Sequence, residues 1–337
     1  MKIAFFELEG WEEPILRKAL PEHELVLRRD ALTLKNVQEV RDAEIISVFI
    51  RSRVTSDLLD ALPSLKAIIT RSAGFDHVDV EACKSRKVAL FNIPNYGSQT
   101  IAEYTFMLIL MLARKAKELK QTVEKNSLEP ASLRGIELSG KTIGIVGTGR
   151  IGSRVAQIAR AFGMKVLAFD LIENEELKRT GEVQYVDLDT LLSSSDVISL
   201  HVPLTPQTRH LINRSNVEKI KRGALLVNTA RGEVVEIEAL IEALEKGILA
   251  GVALDVFEGE WVFDNSWSKT FGDRGLGCER YAKAVLALKL SKYPNVILTP
   301  HLAYNTWEAV ERIITATIDT IRGFIEGRQL SNAIVKP

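Results

Sequence analysis

Residues Gly147 to Gly152 read Gly-Thr-Gly-Arg-Ile-Gly and directly follow a short apolar run, Thr142 to Val146. A pattern with the spacing of one helix face continues from Arg150 to Phe162, and a second apolar run, Met164 to Phe169, ends at Asp170. This order of strand, tight turn, helix, strand and acid, with the acid about twenty residues on, is typical of a G-x-G-x-x-G loop that binds a dinucleotide. Such glycines permit the turn, let a pyrophosphate approach the backbone and let the helix pack on the strand. The segment therefore predicts a dinucleotide-binding loop in an α/β domain.

Asp170 indicates which dinucleotide is bound. A carboxylate at the end of the second strand accepts hydrogen bonds from the ribose hydroxyls and repels a 2′-phosphate. Leu171 and Ile172, which follow it, supply no guanidinium to receive such a phosphate. We therefore expect NAD rather than NADP. The alternative is that Asp170 only ends the strand and forms a turn.

The composition narrows the class of protein. A chain of 337 residues is too long for one ordinary core and suggests two domains. Its 44 Lys and Arg residues balance 44 Asp and Glu residues, so no net field attracts nucleic acid or an anionic membrane. The amino terminus lacks the features of a signal peptide, and the most apolar run, Tyr104 to Ala113, is shorter than the ~20 residues of a membrane span. We expect a cytoplasmic protein with neither nucleic acid nor membrane as a partner. Cys83 and Cys278 form no disulfide framework and no metal-ligand spacing, so no metal is expected.

Apolar runs alternate with helical patterns along the chain, which is typical of parallel sheets with crossover helices. The runs are Ile3 to Phe6, Ile45 to Ile50, Leu65 to Thr70, Ala89 to Asn92, Thr142 to Val146, Lys165 to Phe169, Val197 to Leu200, Ala224 to Val227, Gly251 to Leu254 and Val296 to Leu298. We expect two doubly wound α/β domains, with six strands in the second.

The helical pattern Thr306 to Glu326 follows the last run, whereas the first sheet has no closing helix of its own. We therefore expect residues 1–100 and 302–337 to form one discontinuous, flavodoxin-like substrate domain. Residues 101–301 would be a Rossmann NAD-binding domain inserted in it.

A long helix is predicted from Gln99 to Lys125, and it is apolar nearly all round at Phe106 to Leu112. Such a helix must be buried on several sides. It would be buried either against a second subunit or between two domains of one chain.

In an open parallel sheet, ligands bind outside the carboxyl ends of the strands. Two of the five histidines, His201 and His301, directly follow predicted strands. Pro203 fixes the backbone after His201, which favours the interpretation that His201 forms part of the wall of the cofactor site. His301 is the candidate acid/base, because an imidazole titrates near neutral pH and exchanges a proton with a hydroxyl that becomes a carbonyl. The remaining histidines, His23, His77 and His210, lie in loops and are interpreted as solvated or structural.

Five segments, taken in order, resemble the D-isomer-specific 2-hydroxyacid dehydrogenase family, and most closely its D-lactate dehydrogenase branch. They are Gly147 to Gly152, Ser195-Asp-Val-Ile-Ser-Leu-His-Val-Pro203, Val227-Asn-Thr-Ala-Arg-Gly232, Asp255-Val-Phe-Glu-Gly-Glu260 and Thr299-Pro-His301. The resemblance covers nearly the whole chain and implies a catalytic trio of Arg231, Glu260 and His301. In these roles Arg231 holds the carboxylate of a 2-keto acid and polarises its carbonyl. Glu260 orients His301, which gives or takes the proton.

The same resemblance implies further binding positions. Asp255 would accept from the nicotinamide carboxamide, and the backbone N–H groups of Ala73 and Gly74 would hold the substrate carboxylate. The cofactor-binding residues would be Gly147, Gly149, Arg150, Ile151, Gly152, Asp170, His201, Val202, Pro203, Thr208, Thr229, Ala230, Arg231, Asp255, His301 and Ala303. The substrate-binding residues would be Ala73, Gly74, Tyr96, Arg231, His301 and Tyr304, of which the tyrosines suggest a pocket for a small acid.

The segment Trp261 to Tyr293 departs from the family, because it is longer than in most members and rich in aromatic residues, at Trp261, Phe263, Trp267 and Phe271. It would either reshape the pocket or serve packing alone. The expected activity is NAD-dependent reduction of pyruvate to D-lactate by a homodimer. Alternatives are glyoxylate or hydroxypyruvate reduction and a broader D-2-hydroxyacid activity. A different class, an NAD(H)-binding corepressor-like module, is disfavoured because the chain has no basic or low-complexity tails.

Overall fold

The structure is a computed structural model that describes residues 1–124, 130–263 and 278–336. The chain forms two compact units. The first unit contains Met1–Gly97 and Asn305–Pro337, and the second unit contains Ser98–Tyr304. Each unit is built on one sheet. Trp267 and Phe271, two of the aromatic residues noted above, lie outside the described residues.

The first unit has a sheet with the strand order β13-β5-β4-β3-β1-β2. Its strands are β1 (Lys2–Phe5), β2 (Glu24–Leu27), β3 (Ile45–Val48), β4 (Ala67–Thr70), β5 (Ala89–Phe91) and β13 (Ala333–Val335). Its helices are α1 (Glu12–Ala19), α2 (Ser56–Asp60), α3 (Val80–Ser85) and α11 (Trp307–Ile325). The order 2-1-3-4-5 of the parallel strands is that of flavodoxin-like sheets.

Both edge strands of this sheet, β2 and β13, were missed by the sequence interpretation. β2 has an exposed residue and three half-buried ones, so it lacks the continuous apolar run of a buried strand. β13 pairs antiparallel with β5 and is therefore outside the alternation of strand and helix that predicts parallel pairing. Edge strands bury less of their surface, which weakens their signal in the sequence.

The second unit has the strand order β12-β11-β10-β9-β6-β7-β8. Its strands are β6 (Thr142–Val146), β7 (Lys165–Phe169), β8 (Val183–Tyr185), β9 (Val197–Leu200), β10 (Ala224–Asn228), β11 (Leu249–Leu254) and β12 (Val296–Leu298). Its helices are α4 (Ser98–Ala113), α5 (Ala116–Glu124), α6 (Arg150–Ala161), α7 (Glu175–Arg179), α8 (Leu188–Ser194), α9 (Ile237–Glu245) and α10 (Cys278–Ser291).

Counted from β6, the second sheet follows the order 3-2-1-4-5-6 of the dinucleotide-binding fold, extended by β12. The predicted fold class, two doubly wound α/β domains of which one is a Rossmann domain, is confirmed. The predicted number of six strands was wrong, because the sheet has seven. The missed strand is β8, of which only Val183 is buried.

The predicted helix Gln99 to Lys125 is divided into α4 and α5, and its predicted end at Lys125 lies outside the described residues. Lys115, between the two helices, has a φ of +52°. The carbonyl of Ala113 accepts a hydrogen bond of 2.9 Å from the N–H of Ile136, a residue distant in sequence. A Cβ on the neighbouring Gly135 would lie 2.3 Å from that carbonyl oxygen. The end of α4 is therefore set by a chain segment that packs against it.

Helix α4 packs against α6, β10 and β11 of its own unit. Its buried residues, among them Leu108 and Ile109, join one core cluster with residues of β6, β7 and α6. A separate cluster contains residues of α8, α9 and the same sheet. The two faces of this sheet are thus covered by cores built from different helices. None of the described helices is long and apolar enough to cross a membrane.

Candidate active site

The glycine loop connects β6 to α6, and its three glycines meet different surroundings. Gly147 has a φ of +95°, and a Cβ there would lie 2.8 Å from the carbonyl of His201. A Cβ on Gly152 would lie 1.9 Å from the carbonyl oxygen of Gly147, so this glycine allows the helix to approach the loop. A Cβ on Gly149 would meet no atom within 4 Å. The open space at Gly149, at the N-terminus of α6, fits the approach of a pyrophosphate.

Asp170 lies directly after β7 and is half-buried. Its Oδ2 accepts hydrogen bonds from the backbone N–H of Thr148 (2.6 Å) and from the Thr148 hydroxyl (3.1 Å). Its Oδ1 accepts from the N–H of Ile172 at 3.2 Å. Leu171 and Ile172 are each 83% exposed and bring no positive charge to this position. The surroundings fit a ribose with free hydroxyls better than a 2′-phosphate.

His201 follows β9 and faces the glycine loop through its backbone. Its Nε2 lies 2.8 Å from the hydroxyl of Ser199. Its Nδ1 is buried and makes no hydrogen bond to any described residue. Burial lowers the pKa of His201 to about 3, so the ring is neutral near neutral pH. An orphaned buried nitrogen beside the loop favours a polar ligand group at this position.

The segment after His201 is held in shape by its own side chains. The Thr208 hydroxyl donates to the carbonyl of Pro203 at 2.6 Å and accepts from the N–H of Thr205 at 2.8 Å. A methyl group of Val202 lies 3.0 Å from the position that a Cβ of Gly147 would occupy. His201, Val202, Pro203 and Thr208, all predicted cofactor residues, therefore belong to one loop next to Gly147.

Arg231 lies after β10 and is half-buried. Its Nη1 donates to the carbonyl of Ala230 at 2.7 Å. The side chain of Asn228 accepts from the N–H of Ala230 and donates to the carbonyl of Arg231, which fixes the turn. A Cβ on the following Gly232 would lie 2.6 Å from the backbone of Phe257. The turn of Arg231 is thus packed against the turn that follows β11.

Asp255 is the first residue after β11, and its side chain shapes the turn that contains His301. The carboxylate accepts from the Thr299 hydroxyl (2.7 Å), the Leu302 N–H (2.9 Å) and the Ala303 N–H (2.9 Å). Asp255 is 1% exposed, and its carbonyl accepts from the N–H of His301 at 3.0 Å. His301 has a φ of +54°, a conformation that these hydrogen bonds stabilise. Sequence reasoning assigned Asp255 to the cofactor and missed this role.

His301 and Glu260 form the central pair of the site. Nδ1 of His301 lies 3.4 Å from Oε1 of Glu260, and the two side chains are 34% and 38% exposed. The other carboxylate oxygen of Glu260 accepts from the N–H of Phe257 at 3.1 Å. Nε2 of His301 makes no hydrogen bond within the described part of the chain. A carboxylate therefore orients one ring nitrogen while the other remains available to a substrate.

A buried ionic cluster supports the turn that carries Glu260. The side chain of Glu258 is 5% exposed, and it contacts Nε2 of His210 at 2.9 Å and Nζ of Lys283 at 3.0 Å. It also accepts from the N–H of Ile237 at 3.1 Å. Burial by itself raises the pKa of Glu258, but the contacts with His210, Ile237 and Lys283 outweigh it and leave the pKa lowered. Sequence reasoning missed Glu258 and interpreted His210 only as solvated or structural; the acidic run from Glu258 to Glu260 was the available signal.

Three of the other predicted substrate residues, Ala73, Gly74 and Tyr96, lie in the first unit, and the fourth, Tyr304, lies in the second. Ala73 and Gly74 lie in the loop after β4, where Asn92 donates to the carbonyl of Ala73 (2.7 Å) and Ser72 to that of Gly74 (2.6 Å). These bonds hold the two carbonyls, and Ala73 is exposed. Tyr96 is 9% exposed, and its carbonyl accepts from Arg312. Tyr304, in the second unit, is half-buried.

The remaining predicted cofactor residues also lie at strand ends of the second unit. Thr229, after β10, is buried, and its hydroxyl lies 3.0 Å from that of Thr105 on α4. Arg150 is exposed and Ile151 half-buried at the start of α6. In the described residues, no group of three or more His, Cys, Asp and Glu side chains is arranged to hold a metal ion.

A glycine loop after the first strand of a doubly wound sheet, with an acid after the second, defines a dinucleotide-binding domain, and the His301–Glu260 pair is a candidate acid/base. Residues 106–303, more than half of the chain, match the family model for the NAD binding domain of D-isomer specific 2-hydroxyacid dehydrogenases. The chain belongs to the D-isomer-specific 2-hydroxyacid dehydrogenase family. It is therefore an NAD-dependent oxidoreductase, and the predictions of family, cofactor and enzyme class are confirmed.

Individual relatives agree with this assignment. The chain is 34% identical over 346 residues to "2-hydroxyacid dehydrogenase A" of Aspergillus oryzae, covering 100% of this chain and 96% of the relative. It is 36% identical over 296 residues to a glyoxylate reductase of Thermofilum pendens, covering 86% of this chain and 81% of the relative. The solved D-lactate dehydrogenase of Aquifex aeolicus, complexed with NAD and lactic acid, is similar with a TM-score of 0.90 and 38% identity, covering 99% of both chains.

Proposed function

We propose that this chain is a D-lactate dehydrogenase, which reduces pyruvate to D-lactate with NADH and a proton. The observation that carries the proposal is the placement of Arg231, Glu260 and His301 after the adjacent strands β10, β11 and β12. Ligands bind at this edge of an open parallel sheet. The similarity to the Aquifex aeolicus D-lactate dehydrogenase over 99% of both chains supports the choice of substrate.

When bound, NADH would supply the hydride that reduces the carbonyl carbon. Arg231 binds the substrate carboxylate with its planar guanidinium and polarises the carbonyl. His301 donates a proton from Nε2 to the oxygen of the developing alkoxide, while Glu260 holds the ring through Nδ1. In the oxidation of D-lactate, His301 accepts the same proton.

The cofactor would be bound at the strand ends of the second unit. The open space at Gly149 receives the pyrophosphate, with Arg150 and Ile151 beside it, and Asp170 binds the ribose. The remaining cofactor contacts are assigned to Gly147, Gly152, His201, Val202, Pro203, Thr208, Thr229, Ala230, Arg231, Asp255, His301 and Ala303. Of these, Asp255 already holds the turn of His301 with its carboxylate, so we assign it a structural role as well.

Substrate binding is assigned to the residues that the family resemblance implies. The backbone N–H groups of Ala73 and Gly74 would bind the carboxylate, a role supported by the hydrogen bonds that hold their carbonyls. Tyr96 and Tyr304 would line the space around the substrate methyl group. Arg231 and His301 act on the carboxylate and the carbonyl.

A second candidate is the reduction of glyoxylate or hydroxypyruvate, or a broader D-2-hydroxyacid activity. The observation that favours it is the similarity to the glyoxylate reductase of Thermofilum pendens. These acids share the 2-carbonyl and carboxylate that Arg231 and His301 would recognise. They differ in the group on the far side of the carbonyl.

The test is a panel of pyruvate, glyoxylate, hydroxypyruvate and larger 2-keto acids, assayed with NADH by nicotinamide absorbance. The highest kcat/KM should be for pyruvate, and the product should be D-lactate by a stereospecific assay. A higher kcat/KM for glyoxylate or hydroxypyruvate would overturn the lactate assignment. Absence of turnover on every acid, with NADH binding intact, would favour a binding module of the corepressor kind.

His301→Ala tests the acid/base assignment. Turnover should fall by about two to four orders of magnitude, the usual contribution of such a group. His23→Ala is the matched control, because His23 lies in a loop of the first unit. Wild-type turnover in the His301 variant would refute the role.

We further propose that the protein is a homodimer formed through the outer face of α4. A shallow apolar depression of about 660 Å³ lies on this face, and Met107 within it is 40% exposed. Its apolar lining is formed by Phe106, Met107, Leu110, Met111 and Ile158. Apolar patches of this kind mark protein interaction sites.

Light scattering should give the mass of two chains for the wild type and of one chain for Met107→Glu. Leu34→Glu, at a residue 57% exposed in the first unit, is the control and should leave the mass unchanged. A wild type with the mass of one chain would refute the dimer. A dimer that persists in Met107→Glu would refute this face as the interface.

A further inference from the structure

The second residue of the glycine loop, Thr148, has a polar side chain that none of the three glycine roles explains. It is only 2% exposed. Its backbone N–H and its hydroxyl both donate to Oδ2 of Asp170, at 2.6 and 3.1 Å. The loop and the acid after the next strand are therefore joined directly, by a residue that the motif leaves unspecified.

The Thr148 hydroxyl is held in turn by Tyr185, the last residue of β8. The Tyr185 hydroxyl donates to Oγ1 of Thr148 at 2.9 Å and accepts from the N–H of Asn174 at 2.8 Å. Tyr185 pairs across the sheet with Ala168 of β7, two residues before Asp170. A residue of β8 is thus connected, through Thr148, to the acid that follows β7.

These contacts form one chain of donors with a single direction. The Asn174 N–H donates a hydrogen bond to the Tyr185 hydroxyl. The Tyr185 hydroxyl donates to the Thr148 hydroxyl, which in turn donates to Asp170. Each hydroxyl donates its one proton and accepts one hydrogen bond. Hydrogen bonds in such a chain polarise and strengthen one another. This series of hydrogen bonds therefore fixes which oxygen of the Asp170 carboxylate faces the loop.

Asn174 secures the start of this chain. Its Nδ2 donates to the hydroxyl of Ser153 on α6 at 3.1 Å and to the carbonyl of Thr148 at 3.3 Å. Its Oδ1 accepts from the N–H groups of Glu176 and Leu177 at the start of α7. The position of Tyr185 relative to the loop is thus set from α6, α7 and β8 together.

The two oxygens of Asp170 differ as a result. Oδ2 accepts two hydrogen bonds from Thr148, whereas Oδ1 accepts only the longer one, 3.2 Å, from Ile172 among the described residues. Oδ1 is therefore the oxygen with capacity for further donors. A ribose hydroxyl is such a donor, and a 2′-phosphate is not.

We propose that Tyr185 is a positioning residue for cofactor selection, which acts through Thr148 to orient the Asp170 carboxylate so that Oδ1 meets the ribose hydroxyls. The proposal rests on the cofactor role of Asp170 given under the proposed function. It predicts that the preference for NADH over NADPH depends on a hydroxyl group outside the glycine motif and outside the trio.

Tyr185→Phe tests the proposal, because it removes one oxygen and keeps the ring. The dissociation constant of NADH, measured by fluorescence titration, should rise roughly three- to tenfold, the size expected for one hydrogen bond. The ratio of NADPH to NADH dissociation constants should fall. The KM for the 2-keto acid and kcat at saturating NADH should not change. Hydrogen exchange at the Thr148 amide should be faster in the cofactor-free variant.

Two further comparisons separate positioning from general stability. Tyr293→Phe is the matched control, since its hydroxyl donates to Glu245 at an exposed position of the same unit, and it should leave both dissociation constants unchanged. Thr148→Val should reproduce the effect of Tyr185→Phe, and Thr148→Ser, which keeps the hydroxyl, should restore wild-type binding. An unchanged NADPH-to-NADH ratio in Tyr185→Phe, with or without a lower melting temperature, would overturn the proposal.

Asp170→Ala distinguishes this inference from the assignment on which it rests. If Asp170→Ala changes the ratio and Tyr185→Phe does not, only the role of Tyr185 is refuted. If neither variant changes it, the ribose assignment of Asp170 also fails. The whole protein is used for every measurement.

Discussion

Gly149→Ala should abolish most NADH affinity without unfolding the protein. A Cβ at this position would meet no protein atom within 4 Å, and the residue has φ −63° and ψ −162°, an extended conformation that alanine adopts. The space that the methyl group would fill is the space proposed for the pyrophosphate. The substitution therefore separates ligand binding from packing.

Two effects on stability oppose each other. Alanine is a poorer N-cap than glycine, and Gly149 is the N-cap of α6. The less flexible unfolded chain of the variant gives a stabilisation of about 0.4–1 kcal/mol. The free energy of unfolding should therefore change by less than about 1 kcal/mol. A hydrogen bond to a charged group contributes about 1.5–3 kcal/mol, so each one lost to the pyrophosphate should weaken NADH binding by roughly 10- to 150-fold.

Gly152→Ala is a comparison variant in which the stability of the protein should fall. Its Cβ would lie 1.9 Å from the carbonyl oxygen of Gly147, so α6 and the loop must separate. Overpacking of this kind costs about 1–3 kcal/mol, which urea unfolding would detect. NADH binding is measured by fluorescence titration for both variants. Unchanged NADH affinity in Gly149→Ala would refute the placement of the pyrophosphate at this loop.

Three other predictions concern buried groups. Burial raises the pKa of Cys83 to about 11, so a thiol reagent at mildly alkaline pH should label only the exposed Cys278 in the native chain and both cysteines after denaturation; native labelling of Cys83 would contradict this. Because burial lowers the pKa of His201 from 6.5 to about 3, the stability it contributes is complete above 6.5 and is lost as the pH falls towards 3, by up to about 1.4 kcal/mol per pH unit. Urea unfolding should show a shallower acid dependence for His201→Gln than for the wild type, and equal slopes would refute the assignment. Glu258→Gln should lower the free energy of unfolding by about 1–3 kcal/mol, because His210 and Lys283 lose a buried charged partner while Lys283 keeps its ion pair with Glu238. Since the pKa of Glu258 is lowered, that cost should shrink as the pH falls below 4.5, and a constant cost would contradict the ion pairs.

The parts of the fold that the sequence predicted well are those with local signals. The predicted helix Arg150 to Phe162 agrees with α6 to within one residue, because apolar spacing and a following glycine are both read from nearby residues. The central strands of the second sheet are buried along nearly their whole length and appear as continuous apolar runs. Such runs are visible without knowledge of any neighbour.

The parts that escaped prediction depend on distant partners. The end of α4 is fixed by Gly135 and Ile136, which pack on its last carbonyl, so the sequence of the helix alone does not contain the break. The edge strand β8 is stabilised on one side only, by pairing with β7. Its side-chain pattern carries too few buried residues to indicate a strand.

The same division holds within the candidate site. Arg231, Glu260 and His301 were predicted as a trio from the family resemblance, because each lies in a short segment that matches a family motif; their roles stay a prediction. The groups that hold them in place were not identified. Asp255 acts on a turn 47 and 48 residues further along the chain, and Glu258 contacts His210, 48 residues earlier. A carboxylate with a positioning role has no distinctive local pattern, since its function is defined by the donors that surround it.

These supports connect the candidate residues to one another across the sheet. The backbone of Phe257 packs on Gly232 next to Arg231, and its N–H binds Glu260. Asp255, two residues earlier, holds the turn of His301. The segment after β11 thus contacts the turns that follow β10 and β12, its two neighbours in the sheet. Because the segment is shared, a displacement of this one turn would move both Arg231, which we propose binds the carboxylate, and His301, which we propose transfers the proton. The order of strands in the sheet therefore links the turns of Arg231 and His301 through one segment, although the two residues are far apart in sequence.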